Sequence, residues 1–365
     1  MKRLVSFMLM MVLLLGCAGA QAGQKALKMD EVQNAIDTMS EEELVNWCQE
    51  QFSTAVYTDP SEIPYPDNRQ EDGFIPEGEF IYEDADKGLW AYLSPTLQVE
   101  IVKYEMPEVP HLWYEADVIF NPDEESFTQH TWVNASFKDQ QIYPETLAQT
   151  SKLVFAVNGD YYLDRAKSNK INAGNIIRRG EIVYTYNAGY RKKFPNLDTL
   201  AIRNNGTFDV YAAGEISAEE LLAQAEPDDP EFVHDALSFG PYLIRDGAIR
   251  LEDGTAAENL DPRCAYGMIE PGHFHFVMVE GKMPANKGNQ QGMNLWEVAV
   301  LMKARGCTVA MNVDGGSTAV MIFMGTKLNR TGKAKSLGSP RNQHELFGIG
   351  ESEQVHTDMA DGKKK

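Results

Sequence analysis

One carboxylate stands among small and hydroxylated residues at Asp314-Gly315-Gly316-Ser317-Thr318. The two glycines permit positive φ and let a ligand approach the main chain, exposed N–H groups can hold an anion, and Ser317 and Thr318 add hydroxyl donors beside Asp314. Such a loop suits a sugar or a phosphate, while an Asp-Gly pair between two strands is also the ordinary mark of a tight hairpin. A second set, Asn158-Gly159-Asp160-Tyr161-Tyr162, offers Asn158 and Asp160 to sugar hydroxyls and Tyr161 and Tyr162 to sugar ring faces. It reads equally as a self-capped turn over core tyrosines. Gly240-Pro241 interrupts the apolar run after Ser238, so Ser238 and Gly240 can sit where a ligand meets the backbone, or in a simple kinked strand. Arg263 is a rigid fork suited to phosphate, carboxylate or a structural ion pair, and Arg341 follows Ser339-Pro340. His273 and His275 alternate with no third ligand in register and read as surface or packing residues rather than metal ligands. There is no Gly-x-Ser-x-Gly, P-loop, Rossmann fingerprint or His-Glu-x-x-His.

The elements that position these residues follow from spacing and caps. Asn294 with Glu297 is a capping box that starts a helix near Leu295, with Leu295, Val298, Ala299 and Met302 on one face and Gly306 as the left-handed stop. The apolar runs 307–313 and 319–324 read as strands on either side of Asp314, joined as a glycine hairpin. Residues 98–104, 113–120 and 153–157 read as further strands, 176–184 and 200–210 as hairpins, and 217–225 as a helix capped by Ser217 and Glu220. Upstream, 25–57 has helical spacing, with Ser40 and Glu43 as another capping box, and 58–88 is a connector rich in proline, acids and aromatics. The expected class is α+β, a mixed β-sheet core with packed helices preceded by a small helical N-terminal segment. The expected division is 1–22, 23–95, 96–350 and a flexible tail 351–365, with residues 23–95 read as a spacer or packing appendage.

Met-Lys-Arg, an apolar run over 4–15 and small residues beyond form a secretory leader of bacterial layout, too short for a good membrane span. Ala20-Gln21-Ala22 would leave Gly23 as the mature N-terminus, whereas Leu14-Leu15-Gly16-Cys17 would leave a lipidated Cys17. The bulk of Leu15 favours the first. Both place the chain outside the cytoplasm, secreted or in the cell envelope, with any membrane tether at Cys17. The 54 acidic residues against 33 basic ones argue against nucleic acid, and an anionic ligand needs a local basic pocket. Removal of Cys17 leaves Cys48, Cys264 and Cys307, too few for a disulfide scaffold; they are expected to be buried thiols rather than a Cys264–Cys307 bridge.

Four blocks together resemble the phosphodiester glycosidase family: Asn158-Gly159-Asp160-Tyr161-Tyr162, Ser238-Phe239-Gly240-Pro241, Pro262-Arg263-Cys264-Ala265-Tyr266-Gly267, and the stretch ending Asn312-Val313-Asp314-Gly315-Gly316-Ser317. That family includes an enzyme that removes N-acetylglucosamine from a phosphodiester, and many of its bacterial relatives carry the loose label of exopolysaccharide biosynthesis proteins. The resemblance spans about 97–350. Where the family usually reads Asn-Leu-Asp-Gly-Gly-Gly-Ser-Ser-Thr-Met, this chain has Ser317, Thr318, Ala319 and Val320 before Met321, and Asn342-Gln343-His344 after Arg341 also depart from the usual pattern. The resemblance implies a hydrolase acting on a sugar 1-phosphodiester or phosphorylated glycan. Asp314 and Asp160 would share the roles of nucleophile or stabiliser and general base. Arg263, Arg341 and the Gly315 and Gly316 N–H groups would bind phosphate; Asn158, Tyr161 and Ser238 would hold the sugar. A divalent cation on Asp314 or Asp160 stays open, as does a non-catalytic role in glycan binding or exopolysaccharide assembly.

Overall fold

The computed structural model describes residues 26–121, 131–135, 142–159, 174–186, 197–251, 257–283, 290–331 and 340–358, with only the backbone of 131–135. The leader, Cys17, Asp160, Tyr161 and Tyr162 lie outside the described residues. In chain order the elements are α1 (Met29–Thr38), α2 (Glu41–Glu50), β1 (Phe80–Asp84), β2 (Leu89–Leu93), β3 (Leu97–Met106), β4 (His111–Phe120), β5 (Thr131–Ala135), α3 (Pro144–Thr150), β6 (Leu153–Asn158), β7 (Ile176–Arg178), β8 (Glu181–Tyr184), β9 (Asp198–Arg203) and β10 (Phe208–Tyr211). They continue with α4 (Ala218–Leu222), β11 (Val233–Phe239), β12 (Tyr242–Arg245), β13 (Ala248–Ile249), β14 (Arg263–Glu270), β15 (His273–Val279), α5 (Leu295–Ala304), β16 (Val309–Val313), β17 (Met321–Phe323), β18 (Thr326–Lys327) and β19 (Glu345–Glu351).

Three antiparallel sheets result. The largest runs β1-β2-β3-β4-β15-β14-β16-β12-β13, a second runs β18-β17-β6-β19-β5, and a third runs β10-β9-β11-β7-β8. Alternation along the strands of the nine-stranded sheet divides its residues between two faces. Tyr114, Tyr266, Phe276 and Met311 face a core shared with Phe155, Met321 and Phe347 of the second sheet and Leu200, Phe208 and Leu237 of the third. Trp113, Ala265, Val277 and Ala310 face the opposite way and are covered by α1, α2 and α5. α3 closes the outside of the second sheet and α4 that of the third. The architecture is α+β, as the sequence implies.

All three capping boxes form, at Ser40/Glu43, Ser217/Glu220 and Asn294/Glu297. α5 differs from the expected one-faced helix, because all ten of its residues are buried. It lies between the sheet and the α1–α2 pair, so its second face is covered by Val32, Leu44, Cys48 and Phe52. β1 pairs with β2 and β2 with β3, so sheet pairing runs on through 95/96. Two short strands inside an acidic, proline-rich connector carry too weak a periodic signal to be recognised alone. At the far end, Ser352 and Val355 are buried and His356 Nε2 lies 3.0 Å from Glu83, so the chain is packed at least to Val355 rather than loose from 351.

The expected hairpin around Asp314 is corrected as well. β16 pairs with β14 and β12 in the nine-stranded sheet, whereas β17 pairs with β6 and β18 in the second. Residues 314–320 therefore cross from one sheet to the other. Gly240-Pro241, a cis peptide, makes a similar crossing from β11 in the third sheet to β12 in the first. Cys48, Cys264 and Cys307 are buried free thiols.

On the helix-covered face, near the end of α5, His275 sits between two acids. Its Nε2 is 2.9 Å from Glu115, its Nδ1 is 3.5 Å from Asp117, and Arg305 grips Glu115 through bonds of 2.6 and 2.8 Å. His273 pairs with Asp117 at 2.9 Å. Burial works against a proton on His275, but hydrogen bonds and charge from Asp117 and Glu115 prevail and raise its pKa to about 9.

Candidate active site

Strand ends from the first and second sheets meet at the 314–320 crossing, with the end of β11 from the third lying against Asn312 beside it, and local chemistry explains its shape. A Cβ on residue 315 would lie 2.3 Å from the Pro262 carbonyl oxygen, so only glycine fits against the start of β14. Gly316 takes φ +64°, and its N–H donates to the same Pro262 oxygen at 3.1 Å. The Gly316 donor is thus already used, whereas the Gly315 N–H has no acceptor among the described residues.

Asn158, at the end of β6, holds both ends of the crossing. Its Nδ2 donates to the Asp314 carbonyl at 2.8 Å, and its Oδ1 accepts from the Val320 N–H at 3.1 Å. The Tyr266 hydroxyl donates to its main-chain oxygen. Asn158 is fully buried, so its amide shapes the site from behind. Thr318 is held by Gln343, whose Nε2 donates to its carbonyl at 2.8 Å, and by Arg341, whose Nη1 donates to its hydroxyl at 3.1 Å. The Arg341 N–H also donates to the Ser317 carbonyl at 2.8 Å.

These bonds place a carboxylate beside a cation. Arg341 Nη1 is 3.8 Å from Asp314 Oδ2; the Asp314 side chain is 11% exposed and that of Arg341 is 40% exposed. Burial, and after it the nearby Asp314 charge, push the Cys264 thiol well above its usual range, so it stays protonated and inert.

Arg263 is placed differently from Arg341. Its Cα abuts Gly315, but its guanidinium is mostly buried, donating from Nε to the Met293 carbonyl at 3.1 Å and from Nη2 to the Asn259 carbonyl at 2.7 Å. Ser238 is fully buried; its hydroxyl donates to the Asn175 carbonyl at 2.8 Å, accepts from the Asn175 N–H at 2.8 Å and lies 3.2 Å from Thr199 Oγ1. It organises the loop entering β7. Gly240 meets Asn312, whose Nδ2 donates to the Gly240 carbonyl at 2.8 Å and whose main chain bonds Gly240 and Pro241. Asp314, Gly315, Gly316, Ser317, Thr318, Arg341 and Asn158 are therefore together, Arg263 and Gly240 flank them, and Ser238 stands behind.

The motif blocks include Asn312, and Gln343 marks a departure from the family pattern, yet spacing gave neither a role in the site, nor did it reveal the buried pair Arg178–Glu345, in which Arg178 Nε donates to Glu345 Oε2 at 2.8 Å. Proximity to Arg341 was the only available signal for Gln343 and Glu345. Among the described residues no group of three or more His, Cys, Asp or Glu side chains could hold a metal ion.

A partly exposed guanidinium beside a mostly buried carboxylate can bind an anion and stabilise positive charge on a neighbouring carbon. The family model for phosphodiester glycosidases matches residues 151–349. Over 197 residues the chain is 28% identical to N-acetylglucosamine-1-phosphodiester alpha-N-acetylglucosaminidase of Bos taurus, covering 50% of this chain and 33% of that protein. The Mus musculus counterpart is 27% identical over 168 residues, covering 42% and 29%. The matched region thus spans about a third of the length of these curated relatives. Among solved structures, the pro-peptide-inhibited catalytic domain of the zebrafish counterpart aligns with TM-score 0.48 at 19% identity, over 82% of this chain and 88% of that one. A hypothetical protein from Synechocystis aligns with TM-score 0.43 at 13% identity, over 71% and 63%. With more than half of its length matched by the family model, the chain belongs to the phosphodiester glycosidase family.

Proposed function

We propose that this protein hydrolyses the bond between a sugar's anomeric carbon and a phosphodiester, in a phosphorylated glycan or glycoconjugate of the cell envelope. The observation that carries the reading is the Asp314–Arg341 pair at the crossing, one carboxylate and one accessible cation 3.8 Å apart. Cleavage builds positive charge on the sugar ring and leaves negative charge on phosphate, and these two groups answer those needs. Asp314 attacks or stabilises the anomeric carbon, and Asp160, which follows Gly159 in sequence, supplies the second carboxylate as general base. Water adds to the anomeric carbon, the C–O bond breaks, and the phosphate departs as a monoester. Because that leaving group is already good, no strong general acid is needed.

Arg341 leads in holding the phosphate oxygens, with the Gly315 N–H beside it. Arg263 sets the wall through its main chain, since its guanidinium is engaged by carbonyls. Ser317, Thr318 and Gly316 shape the loop, Asn158 and Ser238 act from behind, and Tyr161 offers a ring face to the sugar. The chain is exported by its leader, cut before Gly23 or lipidated at Cys17. No helix of the described residues is long and apolar enough to cross a membrane.

The deciding experiment is a time course with a methyl phosphodiester of N-acetylglucosamine and with UDP-N-acetylglucosamine, beside Asp314→Asn and with and without EDTA. Free sugar is expected from wild type, with roughly 1,000-fold less from the folded variant. Binding of intact substrate with no product would replace the hydrolase with a glycan-binding protein, and loss of activity in EDTA would assign a metal.

A further inference from the structure

Behind the crossing, Arg178 and Glu345 form a buried ion pair whose side chains are 6% and 2% exposed. Arg178 closes β7 in the third sheet, and Glu345 opens β19 in the second, four residues after Arg341. The fork donates from Nε and Nη2 to the two carboxylate oxygens, and from Nη1 to the main-chain oxygens of Ile177 and Ala236. Ala236 lies two residues before Ser238. On its other side Glu345 fills the space over Gly159, where a Cβ would stand 2.9 Å from Glu345 Cγ. One pair therefore touches the segment carrying Asn158 and Gly159, the segment leading to Ser238 and Gly240, and the strand that follows Arg341.

A buried pair of this kind is a poor source of net stability, because removing two charges from water offsets most of their attraction. What it supplies is a fixed distance between groups it bonds bidentately. We infer that Arg178 and Glu345 are a positioning pair for the site, setting the end of β6 at Gly159 and the start of β19 against the third sheet so that the reacting groups meet in register. This rests on the hydrolytic reading above and adds residues to it that never touch substrate.

The test replaces both charges together, Arg178→Met with Glu345→Leu, so that neither member of the pair is left buried opposite a missing partner. The melting temperature is expected to fall only modestly, because the Ile177 and Ala236 carbonyls lose a donor, while kcat falls about 100-fold with KM little changed, a loss that partial destabilisation of a still-folded protein does not give. Glu345→Gln, which keeps the shape and most of the hydrogen bonds, is expected to retain kcat within about tenfold. Hydrogen exchange should lose protection in peptide 153–159 of the double variant alone. A folded double variant with wild-type kcat and exchange overturns the inference. Should it fail to fold, Gly159→Ala decides, since its new Cβ presses on Glu345 from the other side: a comparable fall in kcat at unchanged melting temperature supports the pair, and wild-type kcat overturns it. A wild type that releases no sugar removes the proposed reaction instead, and exchange in 153–159 then judges the pair without reference to turnover.

Discussion

Arg341 and Arg263 both lie next to the Gly315 turn, yet their guanidinium groups have different work. That of Arg263 is spent on two main-chain carbonyls in a mostly buried setting, and that of Arg341 reaches the Thr318 hydroxyl and the Asp314 carboxylate with 40% of its side chain exposed. A charged hydrogen bond contributes about 1.5–3 kcal/mol. Arg341→Met is therefore expected to raise KM for a sugar phosphodiester by roughly 10- to 100-fold, with little change in melting temperature. Arg263→Met is expected to do the reverse, lowering the melting temperature by orphaning the Met293 and Asn259 carbonyls. Steady-state kinetics and thermal melts of the two variants separate these roles. Equal KM effects from both would return the phosphate to Arg263.

Among the elements, α5 is the one whose surroundings titrate near neutral pH. It ends at Arg305, which links to Glu115, and Glu115 and Asp117 of β4 hold His275 of β15. Glu100, opposite Asp117 on β3, Cys307 and Tyr104 also titrate at this spot; burial drives all three pKa values up and keeps the thiol and the phenol neutral. A histidine whose folded pKa is about 9, against a usual 6.5, contributes stability that is full below pH 6.5 and is lost as pH rises through 9. The opposite branch belongs to the acids. Burial alone would raise Glu115 and Asp117, but the hydrogen bonds and charges of Arg305, His275 and His273 outweigh it and hold both low. Their contribution is present above the usual carboxylate range and is lost in acid. Melting temperature is thus expected to fall between pH 6.5 and 9.5, and His275→Gln to flatten that slope. A parallel slope in wild type and variant would show that His275 is not the group responsible.

At the scale of the molecule, the N-terminal helices are part of the core rather than a lead-in. Val32, Leu44, Cys48 and Phe52 pack with α5, and each buried Val, Leu or Phe is worth about 1.5–3 kcal/mol. Removing residues 26–57 is expected to lower the melting temperature sharply or leave the product insoluble, because it uncovers the second apolar face of α5 and takes Glu41 away from the buried Lys303. A truncated protein that melts like the full chain would reduce the segment to an appendage. The excess of 54 acidic over 33 basic residues adds a second consequence at this scale. A partly exposed arginine beside Asp314 is a local exception to the general field, which is what an anionic ligand requires.

Short-range physics made much of this readable from the chain. The capping boxes at Ser40, Ser217 and Asn294 need only a side chain and an N–H three residues away, and all three form. The hairpins β7–β8 and β9–β10 need only their own turn residues, and both pair as spacing implies. The four motif blocks likewise carried the family. Tertiary structure alone decided where strands found partners. β16 and β17 are apolar runs joined by Asp-Gly, a pattern that favours a hairpin locally, yet β14 and β6 offer longer ladders in two different sheets. The crossing that results is what brings Asp314 beside Arg341. Long-range packing also covered α5 on both faces and buried Arg178 against Glu345, outcomes that depend on segments far apart in the chain, 167 positions in the case of the ion pair.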